Sequence, residues 1–203
     1  IFFDKLICFC ATNIYPEGEG VRKDLIQYSI TQKNLKVLAN GNINGIDCEY
    51  FNFKLVSEND KSNLRSEYNI TNHDFVFLYV GRIVRDKGIN ELVSAFLKLN
   101  NPNIKLILLG SFELNLDPVQ PHILESINAC NEIICPGFQD DVRKFYAISD
   151  VFVLPSYREG FPNSLLQAGS MGLPSIVSNV NGCNEIIKDG INGVVIPAKD
   201  KDA

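Results

Sequence analysis

The stretch FVFLYV, Phe75 to Val80, followed by GRIVRDKG, Gly81 to Gly88, decides the fold class. Six apolar residues in a row, rich in aromatic and β-branched side chains, read as a strand. The lack of polar alternation means that both faces of the strand are covered. Just downstream, Leu92, Val93, Phe96, Leu97 and Leu99 form one apolar stripe at helical spacing. A doubly buried strand that feeds a helix is the repeating unit of a parallel α/β sheet.

The same alternation continues outward from this unit. Ile104 to Leu109, Glu132 to Cys135, Val151 to Leu154, Ser175 to Ser178 and Val194 to Ile196 read as strands. So do Leu6 to Cys10 and Leu35 to Ala39 upstream, which would turn Cys8 and Cys10 to one face. Val142, Phe145, Tyr146 and Ile148 form a second helical stripe, with Asp140 as its expected N-cap. The expected fold is α/β, a Rossmann-like parallel sheet flanked by helices. The turn dipeptides Asn40-Gly41 and Asn44-Gly45 mark a boundary. Residues 1–43 then hold the end of one unit, a strand, a helix and a strand, and residues 44–203 hold the α/β domain.

Composition excludes several classes of function. The formal net charge of −5 over 203 residues argues against a nucleic-acid footprint, which demands a basic surface. No apolar run approaches the roughly 20 residues that span a bilayer. The start, Ile1 to Phe3, lacks a Met, a basic flank and a cleavage site, so it reads as an internal piece of a longer protein and not as a signal peptide. Cys8, Cys10, Cys48, Cys130, Cys135 and Cys183 match no zinc or redox spacing and read as reduced, mostly buried thiols. His73 and His122 are isolated beside loop signals, which leaves a histidine dyad or metal centre without support.

Open parallel sheets bind ligands beyond the carboxyl ends of their strands, and three loops there carry chemistry. In GRIVRDKG, Gly81 lets a ligand approach the backbone, while Arg82 and Lys87 place two cations at the mouth of the sheet. Such cations would stabilise a departing diphosphate; taken alone, the loop reads equally as a solvated basic turn. In SYREGFPNSLLQAG, Ser156 to Gly169, Pro162 suits a helix start. The amides near Asn163, Ser164 and Leu165 would then point unpaired at the site, a natural phosphate cradle. Glu159 and Gln167 flank that start and would hold sugar and ribose hydroxyls, with Phe161 beside them. In PGFQDD, Pro136 to Asp141, Phe138 offers a flat apolar surface, and a base could lie against the loop at Phe138 and Gln139 and bond its backbone. By itself this loop reads better as a plain turn. Asp140 and Asp141 are adjacent and form no Asp-x-Asp metal motif.

Together and in order, GRIVRDKG, FQDDVRKFYAISDVFVLPSYREGFPNSLLQAGSMGLPSIVSNVNGCNEII and DGINGVVIP resemble glycosyltransferase family 4, the group 1 transferases of GT-B fold. The resemblance covers roughly Asn44 to Pro197. It implies the C-terminal, donor-binding domain of a two-domain enzyme, with residues 1–43 as the end of the acceptor domain and the hinge. It implies that Arg82 and Lys87 bind the donor diphosphate and that Glu159, the first Glu of the family's Glu-x7-Glu motif, contacts the donor sugar. Asn163, Ser164 and Leu165 match the phosphate-binding helix start. The motif's second Glu, which accepts from the ribose, falls at Gln167. This is a departure, because a neutral amide accepts more weakly.

The implied activity is retaining transfer of a hexose or N-acetylhexosamine from a UDP- or GDP-sugar to a glycan or lipid-linked acceptor, without a metal ion or other cofactor. Bacterial surface-polysaccharide assembly is the implied setting, in the cytoplasm at the inner face of the membrane, with peripheral association of the full-length protein. The alternative is a nucleotide-sugar-binding module without turnover, favoured by Gln167. A GT-B epimerase would need further catalytic acids and a histidine that the sequence does not place.

Overall fold

The computed structural model describes residues 1–113 and 115–202. Three helices come first: α1 (Phe2–Cys10), α2 (Glu19–Gln27) and α3 (Glu58–Glu67). Strands and helices then alternate through β1 (Phe75–Val80), α4 (Ile89–Leu99), β2 (Ile104–Leu109), α5 (Pro121–Ala129), β3 (Ile133–Gly137) and α6 (Arg143–Ala147). The order ends with β4 (Val151–Leu154), α7 (Asn163–Ser170), β5 (Ser175–Ser178), α8 (Cys183–Ile186) and β6 (Gly193–Ile196).

The strands form one parallel sheet in the order β3-β2-β1-β4-β5-β6. Phe77 pairs with Val151 and Leu78 with Phe152, so β1 and β4 run side by side at the centre. From β1 the chain progresses outward to β2 and β3, then returns to β4 and progresses the other way. Right-handed crossovers therefore put α4 and α5 on one face and α7 and α8 on the other. Val76, Leu78, Tyr79, Leu106, Ile107, Leu108 and Phe152 are fully buried between the layers. Continuous apolar strands, rather than alternating ones, are what such burial selects.

Several expectations need correction. Leu6 to Cys10 is not a strand but the end of α1. A short apolar run is ambiguous between the two states, and no strand of the sheet lies beside this one. Instead Lys33 Nζ donates to the carbonyls of Phe9 (2.7 Å) and Ala11 (2.6 Å) at the helix end, a cation where the helix dipole favours one. Helical spacing separates the two thiols expected on one face: Cys8 is buried and Cys10 exposed. Leu35 to Ala39 keeps one bridge, Leu35 to Ile14, and no strand; two short segments with no third partner make no sheet. The cysteines are not mostly buried, since Cys10, Cys48 and Cys135 are exposed.

Smaller shifts follow from packing. In α4 the buried stripe is Ile89, Val93 and Phe96, while Leu97 and Leu99 are exposed. Asp140 does not cap α6: Val142 holds that position, and Asp141 Oδ1 accepts from the Arg143 amide at 3.0 Å. The strand expected to end at Cys135 runs on through Pro136 to Gly137. A proline fits there because β3 lies at the sheet edge, where a missing N–H costs no ladder bond.

Candidate active site

The carboxyl ends of β1 and β4 meet where the chain's progress across the sheet reverses, the crevice that ligands occupy in open α/β sheets. The loop after β1 supplies Gly81, Arg82 and Lys87; the loop after β4 supplies Glu159, Phe161 and Pro162 and runs into α7. Lys87 Nζ and Glu159 Oε1 lie 2.7 Å apart, with side chains only 20% and 11% exposed. At this distance, and partly withdrawn from water, each charge offsets the other's lost hydration. The pair thus joins the two loops that the sequence separates by 72 residues.

Backbone contacts hold these loops together. Gly88, which follows Lys87, has φ +73, and a Cβ there would run into the carbonyl of Pro155. Only glycine combines that left-handed backbone with so close an approach. Asp86 O accepts from the Tyr157 amide at 2.8 Å, and the Tyr157 hydroxyl donates to Glu91 Oε2 at 2.8 Å. Below Arg82, the buried Tyr79 hydroxyl donates to the Arg82 carbonyl at 2.7 Å. Burial, before any neighbouring charge, pushes the Tyr79 phenol well above its ordinary value, so it stays a donor. Beneath the ion pair lies Cys183, fully buried, its thiol pushed up to about 12 chiefly by burial and then by Glu159. It is a packing residue and not a nucleophile.

The other expected residues lie at several places around this pair. Asn163, Ser164 and Leu165 form the first turn of α7, whose N-cap position, Pro162, supplies no side-chain cap. The amides of a first turn have no acceptor within their own helix, so this end is available to an anion. Arg82 leans the other way and meets Glu113 at 3.2 Å, with its side chain 55% exposed. Phe138 and Gln139 stand apart. They follow the edge strand β3, two strand spacings or about 10 Å from β1. Phe138 is exposed, and Gln139 Nε2 donates to the Pro136 carbonyl at 3.2 Å.

Gln167 does not face bulk solvent. Its Oε1 lies 3.1 Å from the buried Tyr146 hydroxyl, which also lies 2.9 Å from the Ser164 carbonyl. Tyr146 has one proton for these two acceptors, so Gln167 keeps a lone pair on Oε1 and both N–H hydrogens for a ligand. Sequence reasoning assigned Tyr146 to a helical stripe and missed this polar role, since periodicity reports burial and not where a hydroxyl points. It also missed Glu185 and Asn181. Glu185 accepts from the first amides of α2, Glu19 (2.7 Å) and Gly20 (3.0 Å), while Asn181 Nδ2 donates to Asp24 at 2.6 Å. Among the described residues, no group of three or more His, Cys, Asp or Glu could hold a metal ion. No helix among them is long and apolar enough to cross a membrane.

The sequence model of the family described as "Glycosyl transferases group 1" matches residues 60–203. This chain belongs to the group 1 glycosyltransferases. A curated relative, the capsular polysaccharide biosynthesis glycosyltransferase CapM of Staphylococcus aureus, is 32% identical over 201 residues, 97% of this chain and 51% of that protein. The UDP-Gal:alpha-D-GlcNAc-diphosphoundecaprenol alpha-1,3-galactosyltransferase of Escherichia coli is 32% identical over 165 residues, 79% of this chain and 41% of that protein. Anabaena HepE, solved with UDP and glucose, shares the fold with a TM-score of 0.82 at 22% identity, over 97% of this chain and 52% of that one. The chain thus spans about half the length of the relatives it matches, or less. The parallel sheet flanked by helices is the GT-B architecture that the motifs implied.

Proposed function

We propose that the full-length protein moves a hexose or N-acetylhexosamine from a UDP- or GDP-sugar to a glycan or lipid-linked acceptor, with retention at the anomeric carbon. The observation that carries this reading is the half-buried Lys87–Glu159 pair beside the uncapped start of α7, at the switch point of the sheet. A diphosphate seated on the first-turn amides would draw Lys87 from one anion to another and release Glu159 to accept hydrogen bonds from the sugar. Arg82, exposed at the rim, would swing from Glu113 to the same phosphates. As the bond from the sugar to the leaving oxygen breaks, charge grows on that oxygen, and fixed cations and amides stabilise it most at the transition state. The proposal assigns the diphosphate's charge to these groups and includes no metal ion. Phe138 and Gln139 would meet the base at the far edge.

The names of CapM and the E. coli transferase support a setting in surface-polysaccharide assembly. A lipid-linked acceptor would bring the protein to the inner face of the cytoplasmic membrane. The first test is a thermal-shift screen of nucleoside diphosphates and their sugars with the 203-residue chain. A ligand at 100 times its Kd stabilises the folded state by about 2.7 kcal/mol. UDP or GDP should raise Tm while the same chain transfers no sugar, because alignment of donor and acceptor requires the closed cleft of the complete enzyme. Robust transfer by this chain, or no shift with any nucleotide, contradicts the proposal. In the full-length enzyme, an inverted anomeric configuration in the product would contradict retention.

Gln167 provides a second test. As a hydrogen-bond partner of a ribose hydroxyl, Gln167 is worth about 1 kcal/mol, so Gln167→Ala should weaken UDP binding several-fold. Gln167→Glu should leave binding unchanged or modestly tighter, because a carboxylate accepts a hydroxyl's hydrogen bond more strongly than a neutral amide. Calorimetry that finds Gln167→Ala as tight as wild type removes this residue from the ribose site.

A further inference from the structure

The first turn of α7 is held from outside its own loop by a residue far away in sequence. Asn42 Nδ2 donates to the Phe161 carbonyl at 3.0 Å and to Asn163 Oδ1 at 2.6 Å, across a separation of about 120 residues. Asn42 Oδ1 accepts from the Gly45 amide at 2.7 Å, and its backbone N–H donates to the Glu17 carbonyl at 2.7 Å. Both amide hydrogens and the amide oxygen are therefore in use, in two separate segments. The backbone at Asn42 has φ +59, a left-handed conformation that asparagine tolerates better than most residues.

The contact matters because α7 begins without help of its own. Its N-cap is a proline, which lacks both a capping side chain and an N–H. Asn42 binds the residue before that proline and the residue after it, and so brackets the helix start. We propose that Asn42 is a positioning residue that fixes the first turn of α7 for the donor phosphates. It thereby couples the hinge segment to the donor site. The phosphate part rests on the function proposed above; the mechanical part does not. By linkage, donor binding that depends on this contact must in turn stabilise the hinge.

Two variants of the 203-residue chain isolate the contact. Asn42→Gly keeps the left-handed backbone without strain and deletes the amide. Asn42→Asp keeps the bond from Gly45 and nearly the same shape, but sets carboxylate oxygens against the Phe161 and Asn163 oxygens. In ligand-free chains, residue-resolved hydrogen exchange at Leu166 and Gln167 should quicken about tenfold in both variants, the scale of one or two neutral hydrogen bonds. Exchange in β1 and β2 should stay unchanged. Calorimetry on Asn42→Gly should then show about tenfold weaker UDP binding, on the same hydrogen-bond scale, with uridine binding unaltered. Wild-type exchange in both variants overturns the proposal, and so does faster exchange with UDP affinity unchanged. Faster exchange in a chain whose wild type binds no nucleotide upholds the mechanical role and sinks the donor-site reading instead.

Discussion

Lys87→Ala in the full-length enzyme is expected to cut turnover by about 10²-fold or more, some 2.7 kcal/mol at the transition state. The substitution acts twice. It removes a cation from the leaving diphosphate, and it strands Glu159, whose side chain is only 11% exposed, without its partner at 2.7 Å. A double variant separates the two effects. Lys87→Ala with Glu159→Gln removes the stranded charge, so stability should recover while turnover does not. Arg82→Ala should also lower turnover by about 10²-fold, with little loss of stability, because Arg82 is more than half exposed and its bond to Glu113 is a surface one. UDP binding should weaken in both single variants and uridine binding should not. Arg85, paired with Asp117 at 3.1 Å and 60% exposed, is the control in the same loop. Equal losses for UDP and uridine, or an Arg85→Ala as damaging as Lys87→Ala, would place the diphosphate elsewhere.

Gly88→Ala should destabilise the fold by about 2–4 kcal/mol, combining left-handed strain with overpacking against backbone. At φ +73 a new Cβ meets the Pro155 carbonyl, which cannot rotate away as a side chain would. Either the loop after β1 or the loop after β4 must yield, and each carries one half of the Lys87–Glu159 pair. Nucleotide affinity should therefore fall together with Tm. Gly190→Ala is the matched comparison: φ is +72, but nothing lies within 4 Å of the added Cβ. That variant should lose only the conformational part, about 1 kcal/mol. Thermal unfolding of the two decides the point, since equal losses would mean that the contact with Pro155 is not the cause.

The strands of the sheet were legible because continuous apolar runs with turn signals between them have few other solutions. The same reasoning failed at Leu6 to Cys10, where an apolar run of similar look is helical. What separates that run from FVFLYV is the presence of a neighbouring strand, and a local pattern does not carry that information. Asp140 and Asp141 are likewise equivalent in sequence as acceptors for the start of α6; in the fold it is Asp141 that accepts from the Arg143 amide.

The sequence by itself determined the α/β class, the order of the strands from β1 to β6, and the three loops beyond the carboxyl ends of β1, β3 and β4. Each of these follows from residues within one turn or one strand of each other. Only the tertiary structure decided which side chains meet: Lys87 with Glu159, Gln167 with Tyr146, Asn42 with Asn163, and Glu185 with the start of α2. Those pairs depend on β4 returning to lie beside β1 and on the first residues folding back over the loop at Phe161. The free energy of such an arrangement is shared across the whole sheet, so no single segment of the sequence encodes it.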